Sequence, residues 1–291
     1  MMNYQLSNEF LSVSIASLGA ELQSIYHKEH KLEYMWDANP AFWSKKSPVL
    51  FPIVGGLKND TYTFEGKPYH LNRHGFARER NFEVTGQSDN SITFTLSADE
   101  ETLQVYPFHF RFSVIYTLDQ NNLQVTYEVI NTGNEQMYFS VGAHPAFTVP
   151  LMEGTSFTDH YLLFSDHETI GKWPLSPKGL IDTVPISLLE NENQLPLTKE
   201  LFYGDALVLK GLKSNSISIL NHKNDHGLKF SYTNFPFMGI WSFKDADFVC
   251  IEPWCGIADS VNTSGDMRDK EGINKLSSNE IFIRSWSIAL F

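Results

Sequence analysis

The sequence predicts an all-β protein, a large antiparallel sandwich or barrel. Three observations carry that prediction. Short segments rich in Val, Ile, Thr and aromatics, bounded by turn residues, recur at spacings of roughly 10 residues, the signature of consecutive strands. No apolar stripe of helical period lasts three turns. Helices are not interleaved between the strands, as a parallel βαβ fold would require. With 291 residues, 42% apolar and 14% aromatic, the chain can bury a large core and is not disordered.

In chain order, residues 10–15 (Phe-Leu-Ser-Val-Ser-Ile) and 21–26 read as strands joined by a turn at Leu18-Gly19. Residues 61–64 and 68–71, separated by Glu65-Gly66-Lys67, read as a hairpin. Residues 82–85 and 92–96 form another around Ser88-Asp89-Asn90. The clearest hairpin is 110–118 with 123–130, split by Asp119-Gln120-Asn121-Asn122. Later strands are expected at 138–141, 206–209, 216–220, 228–232, 239–243, 248–252 and 281–288. Helix is confined to a turn or two at 39–45 and 102–107. The stretch 151–200, with five prolines counting its Pro150 boundary, reads as long loops over one face. No linker or repeat divides the chain, so one domain spanning 1–291 is expected.

Charge and cysteine content narrow the function. Lys and Arg number 22 against 34 Asp and Glu, a net charge of −12 with no basic run beyond two residues, which argues against nucleic acid. No stretch approaches a membrane span, and the first residues lack the basic and apolar regions of a secretory signal. Only Cys250 and Cys255 occur, read as buried free thiols rather than a disulfide framework. A cytoplasmic protein is expected. Nucleotide cofactors are not, because no phosphate loop, dinucleotide glycine fingerprint or nucleophile elbow is present. His222 and His226 sit in an Asn-Asp-His-Gly loop, which is a hairpin turn rather than a metal site.

Three segments place ionisable residues among apolar ones: 73–78 (Arg-His-Gly-Phe-Ala-Arg), 141–147 (Val-Gly-Ala-His-Pro-Ala-Phe) and 250–256 (Cys-Ile-Glu-Pro-Trp-Cys-Gly). His144 and Glu252 each directly precede proline, which holds them in extended backbone. Glu252 closes the apolar run 248–251 and is followed by Trp254. Lost solvation should raise its pKa toward the range of a general base or acid. The bland alternatives are a strand-end Glu paired with a cation, and core histidines at 144 and 74. Trp241, Trp254 and Phe235 read first as core packing, and only second as stacking platforms for a ligand.

These segments, with 51–55 (Phe-Pro-Ile-Val-Gly) and 205–209 (Asp-Ala-Leu-Val-Leu), resemble the aldose 1-epimerase, or galactose mutarotase, family. The resemblance is to its LacX-like branch, which is also similar to the hexose-6-phosphate 1-epimerases. It implies a β-supersandwich with an open cleft and a cofactor-free, metal-free exchange of sugar anomers. Carried over by motif, Glu252 would take the proton of the anomeric hydroxyl and His144 would protonate the ring oxygen. His74 would bond near that oxygen, and Asp205 would bind sugar hydroxyls. The galactose enzymes carry an arginine before the first histidine. Lys58 in 55–59 (Gly-Gly-Leu-Lys-Asn) would be its partial substitute, without arginine's planar fork. Lys58, Arg73 and Arg78 together form the kind of cation cluster that a sugar phosphate needs. The partner is therefore a sugar or sugar phosphate, met by a monomer or homodimer. Two other readings stay open: a sugar-binding or sugar-sensing protein that kept the cleft, and a glycoside-cleaving enzyme. The latter needs a second carboxylate, from Asp205, Asp245, Asp247 or Asp259, facing Glu252.

Overall fold

Alternation along each strand drives the apolar side chains to one face, and the sheets pack those faces together. The computed structural model describes residues 2–291. In Asn122–Asn131, Leu123, Val125, Tyr127 and Val129 point inward, opposite Leu118, Tyr116, Val114 and Phe112 of Phe110–Asp119. This pair lies inside a nine-stranded antiparallel sheet. Its order is Ile186–Pro196, His160–Lys172, Ser216–Asn221, Leu228–Tyr232, Ile281–Leu290, Asn122–Asn131, Phe110–Asp119, Ser91–Ser97, Glu83–Gln87. A second, smaller sheet runs from Val141–Gly142 and Ala146–Thr148 through Phe248–Cys255 and Phe237–Trp241 to Leu207–Lys210. A four-stranded N-terminal sheet, Asn3–Ser7 to Leu32–Glu33, adds to the same core. The all-β expectation holds, with large antiparallel sheets and, among the described residues, one short α-helix, Glu100–Val105, capped by Asp99 and Thr102.

Several expectations need correction. Residues 39–45 form only a turn at 40–42, not a helix. The strand expected at 138–141 is broken at Ser140 into Met137–Phe139 and Val141–Gly142. The expected 239–243 strand starts two residues earlier, as Phe237–Trp241. The largest error is at 151–200. His160–Lys172 and Ile186–Pro196 are the two longest strands of the molecule, not loops. Their outer halves form an exposed ribbon whose pairing slips at three bulges, so the alternation that marks a strand is absent there. Most of the prolines lie in the connection between them and at its ends.

The smaller sheet bears on function. Phe248–Cys255 is buried at every position and has neighbours on both sides. Glycines on both neighbours make room for Trp254: a Cβ at Gly142 would lie 2.6 Å from the indole, and one at Gly239 2.3 Å from it. Rigid strands, rather than loops, therefore carry Glu252.

Candidate active site

Pairing of Gly142 with Trp254 and of Ala146 with Cys250 puts His144 across from Glu252 on the adjoining segment. Their side chains meet, with His144 Nε2 3.3 Å from Glu252 Oε2. Glu252 is 2% exposed and His144 8%. The imidazole stacks on Trp43 at 4.9 Å and meets Trp241 edge-on at 5.6 Å, which fixes its plane. Its Nδ1 is buried without a hydrogen-bond partner among the described residues.

His74 lies beside His144, with ring centroids 5.7 Å apart. Its Nδ1 accepts the Gly55 amide at 3.2 Å, so the neutral ring carries its proton on Nε2 as a donor. His74 has φ 70° and Asp205 φ 85°, both in the left-handed region. Such backbone is sparse for residues other than glycine, and here it carries two cleft side chains. Asp205 Oδ1 accepts the Ala206 amide at 2.7 Å, which fixes the carboxylate.

These residues line a cleft of about 680 Å³. Arg73 and Arg78 also line it, Arg78 bonding the Arg73 carbonyl at 2.9 Å. The cleft thus gathers Glu252, His144, His74, Asp205, Arg73 and Arg78. It does not gather Lys58, whose ammonium lies 3.4 Å from the Val261 carbonyl and whose amide bonds Asp259. The sequence-based expectation for Lys58 is corrected on that ground. Trp241 and Trp254 line the cleft too, so core packing alone does not describe them, whereas Phe235 is a core residue. Sequence reading misses Trp43, Tyr203 and Lys244. Trp43, an aromatic in a polar stretch, is masked by the helix expectation at 39–45. Tyr203 and Lys244 lie in connections with no pattern to mark them.

Electrostatics set the protonation of the pair. Burial pushes Glu252 well above the usual carboxylate range, and the Asp205 charge adds to this; Trp254 and Arg73 oppose it. Burial pushes His144 down to about 3, helped by Arg78 and Arg73 and opposed by its own backbone carbonyl. His74 is also held well below the ordinary histidine value by burial, His144 and the two arginines. The pair therefore rests as a neutral carboxyl beside a neutral imidazole, with one proton between them. The two cysteines are buried free thiols, as expected.

Of the other carboxylates, Asp259 is bound to Lys270 at 2.7 Å, Asp247 to Lys199 at 2.6 Å, and Asp245 accepts the Tyr203 hydroxyl at 2.6 Å. Among the described residues, only Asp205 shares the cleft with Glu252 as a second carboxylate.

An all-β fold that brings a buried histidine–glutamate pair into a cleft is an arrangement suited to acid–base chemistry on a small molecule. The aldose 1-epimerase family profile matches residues 2–269, and the chain belongs to that family, which places it among sugar epimerases acting on small-molecule sugars. It is 35% identical to Protein LacX, chromosomal, of Lactococcus lactis subsp. lactis, over 99% of each chain. A galactose mutarotase related enzyme from Lactobacillus acidophilus superposes with a TM-score of 0.95 at 39% identity, covering 100% of this chain and 97% of that one. A galactose mutarotase-like protein from Lactobacillus casei ATCC 334 superposes at 0.93 with 30% identity, over the whole of both chains. Among the described residues, no helix is long and apolar enough to cross a membrane.

Proposed function

We propose that this protein interconverts the α and β anomers of a hexose, with hexose phosphates preferred, by acid–base ring opening. The observation that carries this is the 3.3 Å contact between buried His144 and Glu252. Ring opening removes the anomeric hydroxyl proton and adds one to the ring oxygen, two atoms bonded to one carbon. A base and an acid that touch each other can serve both. Glu252 takes the first proton and His144 gives the second. Transfer of the pair's shared proton from the Glu252 carboxyl to His144 Nε2 across that contact gives the carboxylate and imidazolium that act, and ring opening returns the pair to carboxyl and imidazole with its proton count unchanged. Burial favours that neutral form, so the site stabilises the open-chain stage rather than the closed sugar. Rotation about C1–C2 and the reverse transfers close the ring on the other face. The His74 Nε2–H supports the ring oxygen, Asp205 holds hydroxyls, and Trp43 with Trp241 keeps the imidazole in plane.

His144→Asn is expected to lower exchange by about 10²–10⁴-fold while sugar affinity changes little. Saturation-transfer NMR of the two anomers reads the rate directly. A variant that exchanged at the normal rate but bound poorly would make His144 a ligand contact instead of the acid.

The preference for phosphates rests on charge. In a chain of net charge −12, the cleft presents Arg73, Arg78 and Lys244 against Glu252 and Asp205. Among the described residues, Arg73 and Lys244 have no carboxylate partner within salt-bridge distance, and an anion on the substrate would supply one. Exchange measured side by side on glucose, galactose and their 6-phosphates should be faster for the phosphates. Arg73→Ala should lose about 10-fold or more on phosphates and much less on neutral sugars, the loss of one charge-assisted contact. Equal losses on both classes would remove the phosphate assignment and leave anomer exchange standing.

A further inference from the structure

Cys250 stands two residues before Glu252 on the same strand, so the pleat places both side chains on one face of the sheet. His144 lies across from Glu252 on the adjoining segment. Three donors of different kinds thus converge. A ring nitrogen of His144, the Cys250 sulfur and a Glu252 oxygen all lie within 4.8 Å of one another, and all three residues are buried. Anomer exchange uses only two of them. The thiol is in no disulfide, and His144 Nδ1 has no partner among the described residues.

We infer that His144, Cys250 and Glu252 form a binding site for a thiophilic divalent cation such as Zn²⁺, whose occupation switches the active site off. Sulfur, imidazole nitrogen and carboxylate oxygen are a donor set that zinc accepts, and the thiolate disfavours magnesium and calcium. Tetrahedral coordination, with Zn–S about 2.3 Å and Zn–N about 2.0 Å, needs the donors to close by roughly an ångström, within reach of side-chain rotation. Two ligands at alternate positions of one strand and a third from its neighbour hold the metal from the sheet side. The fourth position is left to the cleft, for water or a sugar hydroxyl. On binding, the thiol proton and the Glu252 carboxyl proton both pass to solvent, and the sulfur and the carboxylate oxygen ligate as anions. The Glu252 carboxylate and the imidazole nitrogen are then tied to the metal and unable to move protons. Inhibition follows from the catalytic reading above; coordination itself does not depend on it.

Titration of the purified chain with Co²⁺ tests the site by absorbance. One equivalent should bind and give a thiolate-to-cobalt charge-transfer band. Zn²⁺ should displace the cobalt and stop anomer exchange, and a chelator should restore it. Cys250→Ser should abolish the band and weaken Zn²⁺ inhibition by about 10-fold or more, with metal-free exchange unchanged. Cys255→Ser, whose sulfur instead faces the Asn234 carbonyl, should keep both. If the serine variant does not fold, Cys250→Ala is expected to show the same losses. A wild-type chain without the band, or a band that survives loss of Cys250, overturns the inference. A Cys250-dependent band in a protein that exchanges no anomers would uphold the metal site and reject the catalytic reading.

Discussion

Replacing Glu252 with glutamine is expected to lower anomer exchange by about 10²–10⁴-fold while the fold and most of the sugar affinity remain. The amide has nearly the shape of the carboxyl and can still meet His144. It cannot accept the anomeric proton, so the loss falls on the chemical step and not on binding. Saturation-transfer NMR at saturating sugar measures this directly, and a Glu252→Gln variant retaining even a tenth of the wild-type rate would sink the assignment of the base.

The same substitution should make the protein more stable. Glu252 keeps its proton in the native state to a higher pH than in the unfolded chain, because burial and Asp205 raise it. A raised carboxylate costs stability as pH rises above its unfolded value and up through its folded one. Glutamine removes that cost. The gain over wild type should be near zero at pH 4 and grow toward neutral pH, to an order of 1 kcal/mol or more, as functional-site replacements often show. His144 works from the other side. Its folded value, about 3, means the native state stays neutral while the unfolded chain protonates, so stability falls as pH drops below about 6.5. Urea melts across this range separate the two. A Glu252→Gln gain that did not depend on pH would show that the carboxyl is not under strain from burial.

How much of this is legible in the sequence depends on how local each signal is. The hairpin Phe110–Asp119 with Asn122–Asn131 is readable because both strands bury one clean face and the turn between them is polar. His144 and Glu252 are readable because proline and apolar neighbours mark an ionisable group held in buried, extended backbone. Their mutual contact is not, since it depends on a register set by residues 142 and 146 against 254 and 250. Lys58 fails for a similar reason. Its neighbours in sequence resemble a sugar-binding segment, but Asp259, 201 residues away, holds its amide and its ammonium turns to the Val261 carbonyl. The strands at 160–172 and 186–196 escape notice because an exposed, bulged ribbon has no core face to impose alternation. Trp43 reaches the cleft only because the chain from 36 to 46 is pinned elsewhere, by Trp36 to the Trp43 carbonyl and by buried Glu21 to the Lys46 and Ser47 amides.

Breaking the Asp259–Lys270 pair, which sits behind the cleft wall next to Ala258, should be strongly destabilising. Both side chains are nearly sealed from solvent, 3% and 2% exposed, and meet at 2.7 Å. Burial alone pushes Lys270 down, and Asp259 is the main force holding it charged. Removing either partner strands a buried charge, which costs about 3–5 kcal/mol. Asp259 also accepts the Lys58 amide, bonds the Gly56 carbonyl through its own amide, and accepts the Ile181 amide on its carbonyl. It thereby ties the 55–58 segment, which carries the Gly55 amide that orients His74, to the strand end beyond Glu252. Asp259→Asn and Lys270→Met should each lower the melting temperature by roughly 10 °C, taking 2–4 °C per kcal/mol for a chain of this size. The double variant should lose less than the sum of the two, because it leaves no lone charge. Asp259→Asn, which puts an amide NH2 in place of one of the two oxygens that hold the Lys58 amide and the Lys270 ammonium, should in addition slow anomer exchange through a loosened His74, while Lys270→Met, which leaves the Asp259 carboxylate on the Lys58 amide, should affect activity less. Thermal melts of the three variants beside their exchange rates decide it. Single variants within about 1 kcal/mol of wild type would mean the pair is solvated in use and the cleft wall is held by the backbone bonds alone.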